Sequence, residues 1–430
     1  MTDLTGFKET EIGPIPVEWE VVRLGEIAEN RKFAIVDGPF GSQMKVSEFK
    51  DSGVPVLEME HLKGNRFTGE IRRFISEQKY EELKRSTVVA GDLVISKTGT
   101  LGLVAIVPQW ITRAVMTSRL AKVSINSKLA ETDFVFFALL HLQQSGYWEQ
   151  VGEGTTMKVL SLRKIAEAPI PLPPLPEQRR IAHVLSTIQQ AIAAQDDLIA
   201  AARKVKRSLM RHLFTYGPVP LNQADQVPLK ETEIGPVPEH WEIVEVGKTG
   251  EVITGTTPST KVPEYYDGPY MFISPGDIGE TKYAKQTAKY LSEKGLGVSR
   301  ALPKDTVLVV CIGATIGKTA MTFADQSATN QQINAIIPNK RVLSHYLYYA
   351  LSYRSPSLPS LASRAAVPIV NKSNFSKFLI AIPPLPEQEA IAQTLSALDH
   401  KIEAEERRKA ALQALFKTML CQLMTGQVRV

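Results

Sequence analysis

The sequence predicts a mixed α/β (α+β) fold built twice: two similar globular bodies joined by two long antiparallel helices, with an internal pseudo-two-fold duplication. Three observations carry this. A pair of anchor motifs recurs in the same order in each half. The second anchor of each half opens a long stretch with heptad spacing. The bodies between the anchors mix short strand-like runs with short helical ones.

The anchors come first, because a missed repeat miscalls a fold. Residues 9–20 read ETEIGPIPVEWE and residues 231–242 read ETEIGPVPEHWE. The shared positions include Gly13/Gly235, Pro14/Pro236, Pro16/Pro238 and Trp19/Trp241. PPLPEQRRIAHVLS begins at Pro173 and PPLPEQEAIAQTLS at Pro383. A period on the order of 200 residues is far beyond a solenoid unit, so this is a duplicated domain pair. The interiors diverge. GDLVISKTGTLG (91–102) echoes DTVLVVCIGATIG (305–317), and SLRKIAEAPIPLPP (161–174) lines up with KSNFSKFLIAIPP (372–384). AVMTSRLAKV (114–123) set against ATNQQINAII (328–337) differs almost throughout. Two copies of one scaffold that read different ligands have this character.

Pro176 suits the first turn of a helix, and Glu177 suits its positive end. Apolar residues then recur at steps of four and three: Ile181, Leu185, Ile188, Ile192, Ile199, Ala202, Leu209, Leu213. Gln195 and Lys206 break this seam, and Gly217-Pro218 stops it. The second copy runs Ile391, Leu395, Leu398, Ile402, Leu412, Phe416, Met419, Leu423, with breaks at Glu405 and Lys409 and an end at Thr425-Gly426. Each helix spans about 39 residues, or roughly 58 Å. Antiparallel pairing is expected to bring Gln195 and Lys206 near Lys409 and Glu405. Basic and acidic clusters on the outer faces (Arg203, Lys204, Arg207; Glu403, Glu405, Glu406, Arg407, Arg408) are solvated or receive another subunit.

In the bodies, strands are expected at 87–97, 103–108, 305–312 and 334–338, and short helices at 133–144 and 344–353. Residues 218–230, PVPLNQADQVPLK, are expected to be a linker without a packed element. The predicted divisions are 1–172 for the first body, 173–217 for the central helix, 218–230 for the linker, 231–382 for the second body and 383–430 for the C-terminal helix.

A net charge of +5 in 430 residues permits a polyanionic partner without demanding one. Cys311 and Cys421 lie among apolar residues and are expected to be small buried side chains. The polar start, MTDLTGFKETEIG, has no signal pattern, and no run approaches the roughly 18 apolar residues of a membrane span. A cytoplasmic protein follows.

IGATIGKT (312–319) tempts a phosphate-loop reading, but Gly313 and Gly317 enclose three residues where the loop needs four. A tight turn between strands fits better. The histidines lack metal-ligand spacing, and nucleophile-elbow, dinucleotide-binding and amino-methyltransferase motifs are missing, so no catalytic or metal residue is assigned. What remains is a binding vocabulary: Arg and Lys can neutralise phosphates and read guanine, Asn and Gln can pair with adenine, and any single such run reads equally as a polar surface loop. The candidate contacts are Lys45, Lys63, Asn65, Arg66, Arg72, Arg73, Lys97, Ser118 and Arg119 in the first body. In the second body they are Thr256, Thr257, Lys261, Lys282, Lys318, Asn330, Gln331 and Gln332.

The two Pro-Leu-Pro-Glu-Gln helix openings, the Gly-Pro-x-Pro-x-x-Trp motifs, DGPFGSQM (37–44), the strand-turn at 91–102 and TNQQINAI (329–336) resemble the specificity subunit of Type I restriction-modification systems. The resemblance covers essentially the whole chain. It implies two target recognition domains, each reading half of a split double-stranded DNA site, and a helix pair that sets the unread spacer. It also implies docking of two methyltransferase subunits and association with restriction-translocase subunits. S-adenosylmethionine, ATP and Mg then belong to those partners, and this chain binds no cofactor and has no active site. Two rival readings stand beside it: a duplicated protein-binding adaptor, and a nucleoside-triphosphatase using 312–319.

Overall fold

The computed structural model describes residues 6–41, 43–154, 157–363 and 366–430. Met1–Thr5 of the polar start and Ser42 of the DGPFGSQM segment lie outside them. The chain divides into two compact units, Met1–Ala194 with Lys409–Val430, and Gln195–Arg408. Both long helices run through this division: the central helix is Leu175–Tyr216 (42 residues) and the C-terminal helix Leu385–Met424 (40 residues). Each ends at a glycine in the left-handed region, Gly217 (φ 82°) and Gly426 (φ 67°), the conformation that closes a helix without a Cβ penalty.

The division between the two units falls inside both helices, and burial explains why. Ile181, Ala182, Leu185 and Ile192 share one core with Trp19, Phe134, Phe137 and Trp148 of the first body, and with Phe416, Leu420 and Leu423 of the C-terminal helix. In the second unit, Ile391, Ala392 and Leu395 share a core with Trp241, Tyr346, Tyr349 and Phe375, and with Met210, Leu213 and Phe214. Helix and body are therefore inseparable at these ends.

The two bodies repeat one topology. In the first unit a four-stranded sheet runs in the order Val104–Ile106, Leu93–Ser96, Leu120–Val123, Ile35–Asp37. A second sheet runs Phe74–Ile75, Val54–Leu57, Ala114–Met116, Thr87–Val88, with its two inner strands parallel. The second unit has a five-stranded sheet ordered Gly250–Thr254, Ile333–Pro338, Val307–Val310, Thr319–Thr322, Tyr283–Ala284. Its other sheet runs Lys289–Leu291, Tyr266–Ile273, Gln326–Thr329, Leu302–Pro303, again with parallel inner strands. Helices Thr132–Gln144 and Ser344–Arg354 bury most of their apolar residues, close to the spans expected from sequence.

The duplicated anchors have a physical role. Trp19 Nε1 donates to Glu177 Oε2 at 3.2 Å, and Trp241 Nε1 to Glu387 Oε2 at 2.9 Å. Gln178 accepts from the Glu131 amide (2.9 Å) and donates to the Pro173 carbonyl (2.8 Å). Gln388 repeats this with the Leu343 amide (2.9 Å) and the Pro383 carbonyl (2.9 Å). Each Glu-Gln pair thus fastens the start of a long helix to the Trp turn and to the residue that precedes the shorter helix. The strand after each tryptophan, Glu20–Arg23 or Glu242–Glu245, pairs antiparallel with the strand leading into the long helix, Pro169–Leu172 or Leu379–Ile382.

Three expectations need correction. The run 87–97 is two strands, because Gly91 (φ 86°) and Asp92 turn the chain between them. The linker carries a 3-10 helix, Leu221–Gln226, that buries Ala224, and a strand, Leu229–Lys230, paired with Val237–Pro238. Cys311 is buried but Cys421 is exposed, because Leu420, Leu423 and Met424 occupy the inner face of the helix.

Candidate nucleic-acid interface

The divergent segments sit on a backbone frame that is the same in both units. Gly38 N donates to the Leu120 carbonyl (3.2 Å), as Gly255 N does to Ile333 (3.1 Å). Lys97 N donates to Arg119 (2.8 Å), as Cys311 N does to Gln332 (2.8 Å). Thr117 N donates to Leu57 (2.9 Å), as Asn330 N does to Ile273 (3.1 Å). Leu160 N donates to Lys97 (2.9 Å), as Val370 N does to Cys311 (2.8 Å). Thr117-Ser118-Arg119 is therefore the counterpart of Asn330-Gln331-Gln332. This corrects the sequence pairing of 114–123 with 328–337: Ala114 corresponds to Ser327, one residue earlier. Apolar alternation fits either register loosely, whereas the ladder fixes one and sets which side chains face out.

Within that frame the candidate contacts fall into two groups. In the first group polar atoms are already engaged by other groups of the protein; Arg73 is exposed, and the rest are buried or half-buried. Lys97 is buried, and its ammonium pairs with Asp37 at 2.7 Å. Asn65 donates to Gln143 Oε1 (3.1 Å) and accepts from the Val104 amide (3.0 Å), and Arg66 donates to the Gln189 carbonyl on the central helix (3.2 Å). Arg73 pairs with Glu58 at 2.8 Å. Lys282 is buried, donates to Ser396 Oγ at 2.9 Å and lies over the Tyr349 ring. Burial brings its ammonium down to about 8, against the partial support of Asp399 and Asp305. A run of polar residues reads alike whether its side chains face water or a neighbouring helix, so these placements were invisible in sequence.

The other group faces outward. Lys45, Lys63, Arg72, Arg119, Thr257, Lys261, Lys318 and Gln331 are exposed, and Ser118, Thr256, Asn330 and Gln332 are half-buried. Lys318 Nζ reaches the Ile278 carbonyl at 3.2 Å. The segment 312–319 is the connection between the antiparallel strands Val307–Val310 and Thr319–Thr322, closed by Gly317 N to the Val310 carbonyl at 2.9 Å. Among the described residues no group of three or more His, Cys, Asp or Glu is arranged to hold a metal ion, and no helix is long and apolar enough to cross a membrane.

On the long helices Ile181, Leu185, Ile192, Ile199, Ile391, Leu395, Ile402 and Phe416 are buried, and Ile188, Leu209, Leu398 and Leu412 are partly so. In the second unit the register is set by polar pairs. Gln195 Nε2 donates to Glu405 Oε2 at 2.7 Å, and Lys206 pairs with Asp399 at 2.6 Å. Partner numbers fall as the central helix advances, so the helices are antiparallel. Lys206 faces Asp399 rather than Lys409 or Glu405, and Asp399 also accepts from Tyr349 Oη at 2.6 Å.

The profile of the Type I restriction modification DNA specificity domain family matches residues 16–202 and 238–414. The chain is 25% identical to the MjaVIII specificity subunit of a type I restriction enzyme from Methanocaldococcus jannaschii, over 99% of this chain and 96% of that one. The S subunit of a type I restriction-modification system from M. genitalium shares the fold, with TM-score 0.59, 15% identity, and 94% and 96% of the two chains covered. A chain from a structural study of complex assembly in the type I R-M system matches with TM-score 0.54 at 19% identity, over 96% and 99% of the two chains. The twofold match, each copy spanning one body and most of one long helix, places this chain in the type I restriction-modification specificity family, as a specificity subunit with two domains for DNA sequence recognition.

Proposed function

We propose that each unit reads one half of a bipartite double-stranded DNA site, and that the helix pair sets the spacer and docks two methyltransferase subunits. The observation that carries this is one backbone frame presenting different side chains in the two units: Ser118 and Arg119 in one, Gln331 and Gln332 in the other. Two readers of different half-sites need this combination of a constant scaffold and a changed reading edge. On this reading the helix pair has to act as a stiff spacer, since DNA grooves recur about every 34 Å and only a rigid spacing meets them in phase. Catalysis then belongs to the partners: S-adenosylmethionine on the methyltransferase subunits, ATP and Mg on restriction-translocase subunits, all in the cytoplasm.

The test is the methylation map of the reconstituted complex. Two unlike half-sites at one fixed separation are expected. Seven residues inserted at facing positions of both helices should lengthen the spacer by about three base pairs, since about 1.5 Å per residue is added, and leave both half-sites unchanged. Exchange of residues 31–160 for those of a relative should change one half-site only. A contiguous target, or a spacer indifferent to helix length, would refute the reading. Salt titration separates it from a protein-binding adaptor, because phosphate contacts make affinity fall steeply with salt.

A further inference from the structure

We propose that the turns Thr117–Arg119 and Asn330–Gln332 are the base-selecting edges of the two units, with Arg119 choosing a guanine in one half-site and Gln331 an adenine in the other. The proposal rests on the bipartite reading above and names the residues that carry it out.

Each turn is the crossing between the two sheets of its unit. It leaves Ala114–Met116 or Gln326–Thr329 and enters Leu120–Val123 or Ile333–Pro338. Backbone bonds hold it from the parallel neighbour strand and from the strand end at Lys97 or Cys311, and the glycine loop bonds the residue just after it, Leu120 or Ile333. The glycine loops lie flat against the turns. A Cβ at Gly38 would stand 2.2 Å from the Thr117 carbonyl, and one at Gly255 would stand 2.1 Å from that of Asn330. A backbone so fixed gives a side chain the constant origin that bidentate base recognition needs.

The side chains on this fixed frame differ in the two units in a chemically meaningful way. Arg119 is exposed and makes no ion pair or side-chain hydrogen bond with any described residue, whereas Arg73, Arg85 and Arg113 of the same body each pair with a carboxylate. Its guanidinium fork is available whole, and the edge it matches is guanine O6 and N7. In the second unit the counterpart of Arg119, Gln332, is tied to Asn330. Its Oε1 accepts from Asn330 Nδ2 at 3.0 Å and its backbone N donates to Asn330 Oδ1 at 3.0 Å. That makes Gln332 a brace. The open amide is Gln331, exposed, with Oε1 accepting from Thr257 Oγ1 on the facing loop. This bond orients the amide and leaves Nε2 and the second lone pair of Oε1 to the N7 and N6 edge of adenine.

The experiment uses the full chain with its methyltransferase subunits, expressed in a host without adenine methylation, and maps every methylated adenine. A wild-type map without two half-sites would overturn the bipartite reading and this proposal together. Given a bipartite wild-type map, Arg119→Gln should erase guanine preference at one position of one half-site, a loss of roughly 10- to 100-fold. The other half-site and the spacer should stay as they were. Gln331→Ala should erase an adenine preference in the opposite half-site only. An unchanged motif, or methylation slowed equally at all sites, makes either residue a bystander or a phosphate contact and overturns the assignment. If a variant methylates nothing, competition binding of the purified complex to duplexes substituted one base pair at a time replaces the map. Relaxed choice at one position then supports the proposal, and unaltered choice at every position overturns it.

Discussion

Arg429 grips Glu177 through two points, Nε to Oε1 at 2.6 Å and Nη2 to Oε2 at 2.9 Å, while Trp19 also donates to the same carboxylate. The equivalent carboxylate of the second unit, Glu387, is held by Trp241 at 2.9 Å and by His240 at 2.7 Å. The same helix start is thus braced by a permanent cation in one unit and by an imidazole in the other. Replacing either tryptophan by phenylalanine removes one bond to a half-buried or buried carboxylate, at a cost of about 1–3 kcal/mol. Trp241→Phe is expected to be the costlier, since Glu177 keeps its guanidinium fork. Urea unfolding of the two variants against wild type measures the difference.

Gly38→Ala and Gly255→Ala should each push a reading turn out of place, because the added methyl meets backbone rather than a movable side chain. Each variant is expected to lose recognition of one half-site and keep the other, in competition binding with duplexes mutated in one half. Gly41→Ala and Gly276→Ala, where a Cβ meets nothing within 4 Å, serve as neutral controls.

Lys282 gives a pH signature with a definite sign. Folding lowers its ammonium to about 8 from an ordinary 10.5, so between those values the unfolded chain holds a proton that the folded chain has released. Stability from this group therefore rises with pH across that window and is flat below it. Lys282→Met keeps the packing on Tyr348 and Tyr349 and should flatten that rise. The check is the wild-type minus variant difference in urea midpoint at several pH values through the window, where the background of other titrating groups cancels.

Asp399 joins Lys206 of the central helix to Tyr349 of the second body, at 2.6 Å each. Asp399→Ala strands both partners in a largely buried place and should cost about 3 kcal/mol. Gln195→Ala, which removes one neutral donor from Glu405, should cost about 1 kcal/mol. Calorimetric or denaturant unfolding of the two variants tests the ranking.

Much of the architecture was legible. The doubled Gly-Pro-x-Pro-x-x-Trp and Pro-Leu-Pro-Glu-Gln motifs gave the duplication, and heptad spacing gave two helices to within a few residues of their observed ends, because periodic burial is written locally. Long-range pairing was not. Nothing near Trp19 announces Glu177, although the joint recurrence of both residues in both halves was a usable hint. Lys97 and Lys282 read as surface cations because the carboxylate and the hydroxyl that receive them lie 60 residues or more away in sequence. The reading turn was misaligned by one residue because Ala114 matched Ala328 by type, while hydrogen bonds match it to Ser327. Cys421 has apolar sequence neighbours yet is exposed, and the seam at Phe416, Met419 and Leu423 leaves position 421 off the inner face.

That last placement makes the subunit a ready substrate for site-selective labelling. Its two thiols are chemically unlike: Cys311 is sealed in the second unit, with burial pushing it up to about 11, and Cys421 lies open on the C-terminal helix. A maleimide dye offered at neutral pH should enter at one position without any engineering, putting a fluorescent reporter on the helix proposed to meet the methyltransferase.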